Sequence, residues 1–373
     1  MKEEIISARQ YTIIVILYSI GTAILIIPSS LASEIKQDAW IAAIVGVVLS
    51  ILVIKLFISL GNKTPDLSFV EANERILGKF IGKFTSISFI TLTFLSASEL
   101  FYFIGIFMQT VVMPETPTVA FVILFTIVIM YGSFLGIEVF ARTTEFIFPL
   151  FLLLFIIFVI FVSPDINVKN IQPIFETSTM SLLFGAFYFM SFFSFPLIVL
   201  LMIFPSAINE HQSTQKGFYL GTIAGGLILT IIIALSILVL GATITSLKIF
   251  PSYTLAKNIS VGNFLQRVEM IMAFLWIITI FVRSFLYFYA SVKGIAQLLN
   301  IKDHRPLILP LGMISIVLSQ IIHPNTIHSS YYNRDIWPLF SLTVTILLPL
   351  LLLFVAKLRN IKCAEKESKK TNT

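Results

Sequence analysis

The residues best able to do chemistry are charged groups placed inside otherwise apolar stretches. Glu99 lies within such a run, in the segment Ser98-Glu99-Leu100-Phe101-Tyr102. A carboxylate at the centre of a bilayer is costly, and it usually faces the interior of a helix bundle. Glu99 therefore predicts a ligand or proton site, or else a structural hydrogen bond made by a protonated carboxyl group.

Arg283 is a second charge, deep in a later apolar run. It could pair with Glu99 inside the bundle, or its long side chain could reach back to the aqueous edge. His323, His328 and Asp335 share one short segment, but their spacing matches no strong zinc pattern, so no metal site is predicted. HExxH, Walker A and GxSxG motifs are absent from the sequence, so we expect neither an enzyme nor a cofactor.

The first apolar run, residues 11–31, contains an interruption that could form a binding site. It carries Gly21 and Thr22 near its centre and Pro28 one to two turns later. Glycine costs about 1 kcal/mol and proline about 3 kcal/mol in a helix interior. Backbone groups freed inside a membrane must find partners in protein, water or ligand. The run is thus either a helix broken at a binding site or a proline-kinked helix with a glycine packing contact.

The composition assigns these residues to a protein with many membrane spans. Hydrophobic residues make up 57% of the 373 residues and charged residues only 12%, which excludes an ordinary soluble domain. The single Cys363 allows no internal disulfide. Residues 1–10 show no signal-peptide cleavage pattern. Ten spans of about 20 residues each are predicted, at 11–31, 39–60, 85–111, 118–137, 143–163, 181–204, 218–243, 265–292, 307–323 and 336–357.

Lysine and arginine alternate between the two sides of these ten spans. One side carries eleven basic residues and the basic tail, whereas the other carries six, namely Lys36, Lys169, Lys248, Lys257, Arg267 and Arg334. The positive-inside rule therefore places both termini in the cytoplasm. The net charge of +6 is explained by this asymmetry, so nucleic acid is not an expected partner. We expect one transmembrane domain, residues 1–357, and a basic cytoplasmic tail, residues 358–373, which can touch anionic lipid.

The sixth span repeats the interruption of the first. Its middle contains Ser191, Ser194 and Pro196, which can break a helix halfway across. Two sets of five spans, residues 1–163 and 181–357, would be inverted relative to each other because five is odd. Spans 1 and 6 then correspond, and paired breaks in corresponding spans indicate the binding site of inverted-repeat transporters.

Smaller features predict structural roles. Glu138 and Arg142 are four residues apart and can pair on one helical face, and Arg267 with Glu269 can cap or pair at a span boundary. Residues 61–83 predict a short amphipathic cytoplasmic helix that ends at Gly78.

Several short motifs, in this order along the chain, resemble a known family. They are Ser7-Ala8-Arg9-Gln10, residues 21–25 with Pro28, Gln37-Asp38-Ala39-Trp40, Thr116-Pro117, Gly136-Ile137-Glu138 with Arg142, Phe250-Pro251-Ser252-Tyr253, and Arg267-Val268-Glu269 with Trp276. The chain is similar to the B subunits of spore germinant receptors, the GerAB-type spore germination permeases of the amino acid–polyamine–organocation superfamily. Each motif is weak alone, but together they cover most of the chain.

The resemblance implies an all-α integral membrane protein with a LeuT-like fold, five-plus-five inverted repeats and broken helices 1 and 6. It implies residence in the spore inner membrane, germinant receptor A and C subunits as partners, and a nutrient ligand that is an amino acid, a sugar or a nucleoside. The pocket would lie among spans 1, 3, 6 and 8. The predicted ligand-binding residues are Tyr18, Gly21, Thr22, Ile24, Leu25, Ser98, Glu99, Tyr102, Tyr188, Ser191, Phe192 and Phe193. Neither break carries a charge, which leaves backbone dipoles and Glu99 as polar handles.

Three functions compete at this point. The first is a receptor subunit whose nutrient-bound state triggers germination through its partners. The second is a secondary amino acid transporter in which Glu99 couples transport to protons. The third is a channel-like or scaffolding membrane subunit.

The charge asymmetry makes a testable prediction about topology. Reporter fusions after Lys63 and after Lys302 should both read as cytoplasmic, because both positions lie on the lysine- and arginine-rich side. A periplasmic-type signal at either position would contradict the span order.

Overall fold

The computed structural model describes residues 5–257 and 269–360, which form helices and connecting loops without a β-strand. The α-helices are α1 (Ala8–Ile20), α2 (Ala23–Ile35), α3 (Ala39–Lys63), α4 (Phe69–Leu77), α5 (Lys79–Phe107), α6 (Thr118–Leu135), α7 (Ile137–Val162), α8 (Thr179–Phe193), α9 (His211–Leu247), α10 (Pro251–Lys257), α11 (Glu269–Leu298), α12 (Arg305–Ile321), α13 (Thr326–Tyr331), α14 (Trp337–Leu342) and α15 (Leu348–Leu358). Four 3₁₀ segments, Lys36–Asp38, Ser163–Asp165, Val168–Ile171 and Phe195–Met202, and three π segments, Met108–Val112, Tyr332–Ile336 and Thr343–Leu347, connect or extend them.

Eight helical stretches of the described chain are long and apolar enough to cross a membrane. They are Ala23–Lys63, Lys79–Val112, Thr118–Leu135, Ile137–Asp165, Thr179–Met202, His211–Leu247, Glu269–Leu298 and Thr326–Leu358. The stretch of 41 residues joins α2 to α3, whereas α1 and α12 are apolar but shorter. The predicted count of ten requires α1 and α2 to form one broken span and α12 to cross by itself, and it stays a prediction, as does the inverted repeat.

The first apolar run is interrupted at Gly21 and Thr22. α1 ends at Ile20 and α2 begins at Ala23, and between them Gly21 has a φ of +40°. Pro28 does not break the run, because it lies inside α2. The Gly21 carbonyl, freed from the helix, accepts a hydrogen bond from Thr279 Oγ1 at 3.0 Å. A side chain from α11 thus supplies the partner that a bilayer cannot.

The run that contains α8 is interrupted at Ser194. α8 ends at Phe193, and residues Phe195–Met202 continue as a buried 3₁₀ helix. The two interruptions are adjacent, because the Tyr18 hydroxyl of α1 donates to the Pro196 carbonyl at 3.0 Å. Two helix ends therefore meet inside the bundle, as the pair of sequence breaks predicts.

α9 is the helix against which α1 packs most closely. Gly217, Gly221 and Gly225 recur every four residues and form one face of α9, and a Cβ on Gly221 would lie 2.7 Å from Val15 Cβ. Small residues at this spacing let two helix backbones approach in a membrane. α1 can therefore lie in the middle of the bundle, where every residue from Ile13 to Ile20 is buried.

A buried carboxylate fixes the loop that precedes α8. Asp38, at the end of a 3₁₀ turn, is fully buried and accepts hydrogen bonds from the backbone N–H groups of Phe175 and Thr177, both at 3.0 Å. Gln37 donates to Glu176 at 2.7 Å beside it. These contacts hold the end of the first broken run next to the start of the second.

The predicted amphipathic segment is the helix α4. A capping box formed by Ser68 and Glu71 begins it, and it ends at Gly78 as predicted. Outward faces of α6, α7 and α12 carry large exposed apolar side chains, for example Leu124, Phe146 and Leu309. Such faces suit contact with lipid, since lipid tails are as apolar as the side chains themselves.

The glycine face of α9 gives a stability prediction. Gly221→Leu should lower the thermal transition of the detergent-solubilised chain, because overpacking costs about 1–3 kcal/mol and here the neighbour is the backbone and Cβ of α1. Leu227→Phe adds bulk on an exposed face of the same helix and should leave the transition unchanged. Equal transitions for the two variants would show that the close approach of α1 and α9 does not contribute.

Candidate functional site

Arg283 of α11 lies at the junction of the two interruptions. Its side chain is buried, with a residue exposure of 2%, and Nη2 donates to the Phe192 carbonyl at 2.7 Å. The guanidinium lies over the rings of Tyr18 and Tyr287, at 5.5 and 5.9 Å from their centroids. The end of α8 supplies the carbonyl, and the aromatic faces add cation–π attraction.

Gly21 is the residue that makes room for Arg283. A Cβ built on Gly21 would clash with Arg283 Cδ and would lie 2.7 Å from Nη1. The positive φ of Gly21 is also one that residues with a side chain rarely adopt. The break in the first run therefore provides the space into which an arginine from another helix packs.

Two of the Arg283 nitrogens keep hydrogen-bonding capacity. Among the described residues, Nε and Nη1 make no hydrogen bond. A guanidinium has five N–H donors in a planar fork and is always charged. It is therefore an incompletely satisfied cation inside the bundle, where unpaired charge is costly.

A small cavity of about 20 Å³ lies beside Arg283. Polar and apolar side chains from several elements of the bundle line it. They are Thr22, Ser96, Glu99, Leu100, Phe103, Phe192, Arg283, Tyr287, Asn333 and Trp337. A volume of this size accommodates about one water molecule. The cavity thus contains one cationic and one potentially anionic side chain at the level of both helix breaks.

Glu99 pairs with His323 and not with Arg283. Its Oε1 lies 3.2 Å from His323 Nε2, and the two side chains are only 9% and 1% exposed. Arg283 therefore follows neither sequence alternative: it is buried, so it does not reach the aqueous edge, and its acceptor is the Phe192 carbonyl. Tyr102 packs edge-on against the His323 ring at 5.1 Å between centroids.

Only part of the predicted site lines the cavity. Thr22, Glu99 and Phe192 do so, while Gly21 seats Arg283, and Tyr18 and Tyr102 pack against Arg283 and His323. The other predicted residues have structural partners. Three of them donate side-chain hydrogen bonds: Ser98 to the Phe94 carbonyl, Tyr188 to Ser30, and Ser191 to the Tyr188 carbonyl. The Ile24 carbonyl accepts a hydrogen bond from Ser252, and Leu25 and Phe193 are buried in the apolar core.

The cavity also contains residues that the sequence did not single out. Trp337 donates through Nε1 to the Ser191 carbonyl at 3.1 Å, so it covers the end of α8. Asn333, in the π segment Tyr332–Ile336, is buried and donates to the Ser329 carbonyl at 2.9 Å. A polar residue just ahead of an apolar span was the only available signal for Asn333, and many loop residues share it.

The predicted ion pairs lie away from this centre. Arg142 contacts Glu138 through Nη2 on an exposed helical face, one turn apart. Glu269 is the first residue of α11, whereas Arg267 lies outside the described residues, and so does the pairing predicted for the two. A larger cavity of about 930 Å³ lies between α4 and the loop after α11. Its lining contains both acidic and basic residues, among them Glu71, Lys293 and Asp303.

The packing of Arg283 against Gly21 makes a second prediction. Gly21→Ala should lower thermal stability strongly, because it adds overpacking, typically about 1–3 kcal/mol, to the strain of a positive φ. In an Arg283→Ala background the same change should cost less, since the colliding side chain is gone.

Gly78→Ala is the matched control for this cycle. Gly78 also has a positive φ, +87°, but a Cβ added there would meet no heavy atom within 4 Å. It reports backbone strain alone. Equal losses for Gly21→Ala in both backgrounds would contradict the packing of Gly21 against Arg283.

Solved structures share this architecture. The chain superposes on Mhp1, a nucleobase-cation-symport-1 family transporter, with a TM-score of 0.72 over 95% of this chain and 94% of that chain, at 11% identity. It superposes on MhsT in complex with L-phenylalanine with a TM-score of 0.69, over 95% and 99% of the two chains, at 15% identity. At these identities the likeness establishes the LeuT-type fold alone.

Sequence relatives are more informative about ancestry. The chain is 29% identical to "Spore germination protein KB" of Bacillus subtilis (strain 168), over 99% of this chain and all of the relative. It is 23% identical to "Spore germination protein YndE" of the same organism, over 95% and 97%. The family model described as "Spore germination protein" matches residues 5–327. With most of its length matched, including both helix breaks and Arg283, the chain belongs to the spore germination protein family of permease-like membrane proteins.

Proposed function

We propose that the chain is the nutrient-sensing membrane subunit of a spore germinant receptor. A small nutrient, which is an amino acid, a sugar or a nucleoside, binds at the junction of the two helix breaks and triggers germination. The observation that carries this proposal is the incompletely satisfied Arg283 beside Glu99 in one cavity. Such a pair inside a membrane protein supports a polar ligand, because intramembrane charges mark ligand and ion sites.

The two breaks supply further hydrogen-bonding groups for this ligand. Thr22 lies at the start of α2, and a helix start has free N–H groups that favour an anionic group. Phe192 and Trp337 contribute apolar walls. Sites of this kind combine apolar walls with a few polar groups that fix orientation.

The wider assignment follows the family. The chain would cross the membrane ten times as two inverted sets of five, with both termini in the cytoplasm. It would reside in the spore inner membrane and assemble with receptor A and C subunits. Nutrient binding would shift the bundle between two states, and the partner subunits would read the difference.

A secondary transporter of amino acids is the second candidate. The fold supports it, because both solved neighbours described above were determined with a small molecule bound, and one is named as a cation symporter. Glu99, linked to His323, would then couple transport to protons. Uptake of radiolabelled nutrient by the chain alone in liposomes would favour this function, whereas binding without uptake would favour the receptor.

The Arg283 centre gives the decisive test in spores. Arg283→Gln should abolish or strongly reduce nutrient response, and Glu99→Gln should change the nutrient concentration that gives half-maximal germination. A trigger that acts downstream of the receptor should still work in both strains. Receptor abundance, measured by immunoblot, must stay near normal for the comparison.

Arg142→Gln is the matched control, since it removes an arginine from an exposed ion pair outside the cavity. Its dose–response curve should equal that of the wild type. A normal nutrient response in Arg283→Gln spores would exclude the cavity as the nutrient site.

A further inference from the structure

Glu99 is the inner end of a chain of three titratable side chains. Its Oε1 lies 3.2 Å from His323 Nε2, and His323 Nδ1 lies 3.1 Å from His328 Nδ1. His323 has a side-chain exposure of 1%, whereas His328, on the short helix α13, is exposed. The chain of side chains therefore connects an exposed surface with the cavity that holds Arg283.

We propose that His328, His323 and Glu99 form a proton-transfer path between that surface and the cavity. The path goes beyond the proposed function, because it requires neither a nutrient nor a partner subunit. Each link is a hydrogen bond within the usual distance range. The two nitrogens of His323 face different partners, so the three groups form a line and do not converge on one point.

The transfer balances without any other reactant. Solvent delivers a proton to His328, which then donates the Nδ1 proton to Nδ1 of His323. His323 releases the proton on Nε2 to the Glu99 carboxylate, and it ends as the other neutral tautomer. His328 keeps the proton on Nε2, so the net result is one proton moved from water to Glu99.

Aromatic and charged groups surround the three side chains of this path. Tyr102 of α5 packs at 5.1 Å and Tyr332 of the π segment at 5.4 Å from the His323 ring, so the imidazole has an aromatic neighbour from each of two elements. Tyr287 and Arg283 of α11 share the cavity with Glu99. The Arg334–Asp335 pair lies in the π segment that follows α13, the helix of His328, and it is exposed.

Protonation of Glu99 would change the charge of the cavity. With an ionised Glu99, the carboxylate and the Arg283 guanidinium cancel. With a protonated Glu99, the cavity keeps one positive charge that the Phe192 carbonyl and two aromatic rings only partly satisfy. The pH at one membrane surface would thereby set how strongly the cavity attracts an anionic group.

Infrared spectroscopy of the full chain in lipid nanodiscs tests the path directly. A pH jump from about 8 to about 5 spans the range in which imidazole side chains change charge. It should increase the carbonyl band of protonated carboxylic acids, and the part of this increase that comes from Glu99 should be missing in Glu99→Gln. Equal increases in the wild type and in Glu99→Gln would overturn the proposal.

Two histidine variants then test the route. His328→Leu removes the exposed end, leaves the Glu99–His323 pair intact and should slow appearance of the band by roughly a hundredfold, the lower range for a positioned proton-transfer group. In His323→Phe the carboxyl group should no longer follow the pH jump. Unchanged kinetics in His328→Leu would show that His323 is only a structural partner of Glu99.

His304→Leu is the matched control for these variants. His304 packs against Tyr289 near the larger cavity, away from Glu99. The same chemical change there should leave band and kinetics as in the wild type. A slowing as large as that in His328→Leu would overturn the route, since the effect would then not depend on the chain of hydrogen bonds.

Discussion

A buried guanidinium organises the centre of this protein. Arg283 needs acceptors and space inside a bundle that offers few of either. The end of α8 supplies the Phe192 carbonyl, and the interruption at Gly21 supplies the space. Tyr18 packs on the same guanidinium and at the same time bonds to Pro196, so it ties one break to the other. Each break would be a defect alone, and together with Arg283 they form one packed unit.

In this arrangement, the backbone groups of the site and its charged side chains come from different helices. The two interrupted runs contribute carbonyls, a glycine and apolar walls, whereas the continuous helices α5 and α11 contribute Glu99 and Arg283. Continuous helices can hold long polar side chains in fixed positions because their own backbone is fully bonded. This division explains why neither break contains a charge and why the site is nevertheless charged.

The sequence predicted an all-helical membrane fold and the interruption of both runs, because apolar run length and helix-breaking residues are local signals. The count of ten spans and the inverted repeat stay predictions. Part of the predicted set of site residues lies outside the described cavity. Successive helical residues point about 100° apart, so Ser98 is not part of the cavity that Glu99 lines, nor Phe193 of the one that Phe192 lines. The partner of Glu99 could not be predicted, since His323 lies 224 positions later and no periodicity connects them.

The size of the cavity constrains how a ligand could enter. A space for about one water molecule cannot hold a nutrient, so the cavity beside Arg283 would have to widen for a ligand to bind there. Phe192, Tyr287 and Trp337 line the cavity, and Trp337 directly follows the π segment Tyr332–Ile336. Such π-helical turns are rare and occur often at functional sites. The same segment carries Tyr332, which packs on His323, and Asn333, which lines the cavity. One turn therefore adjoins the covering tryptophan, the cavity and the histidine bonded to Glu99, so a displacement of this turn would alter the lining of the cavity and the environment of Glu99 together.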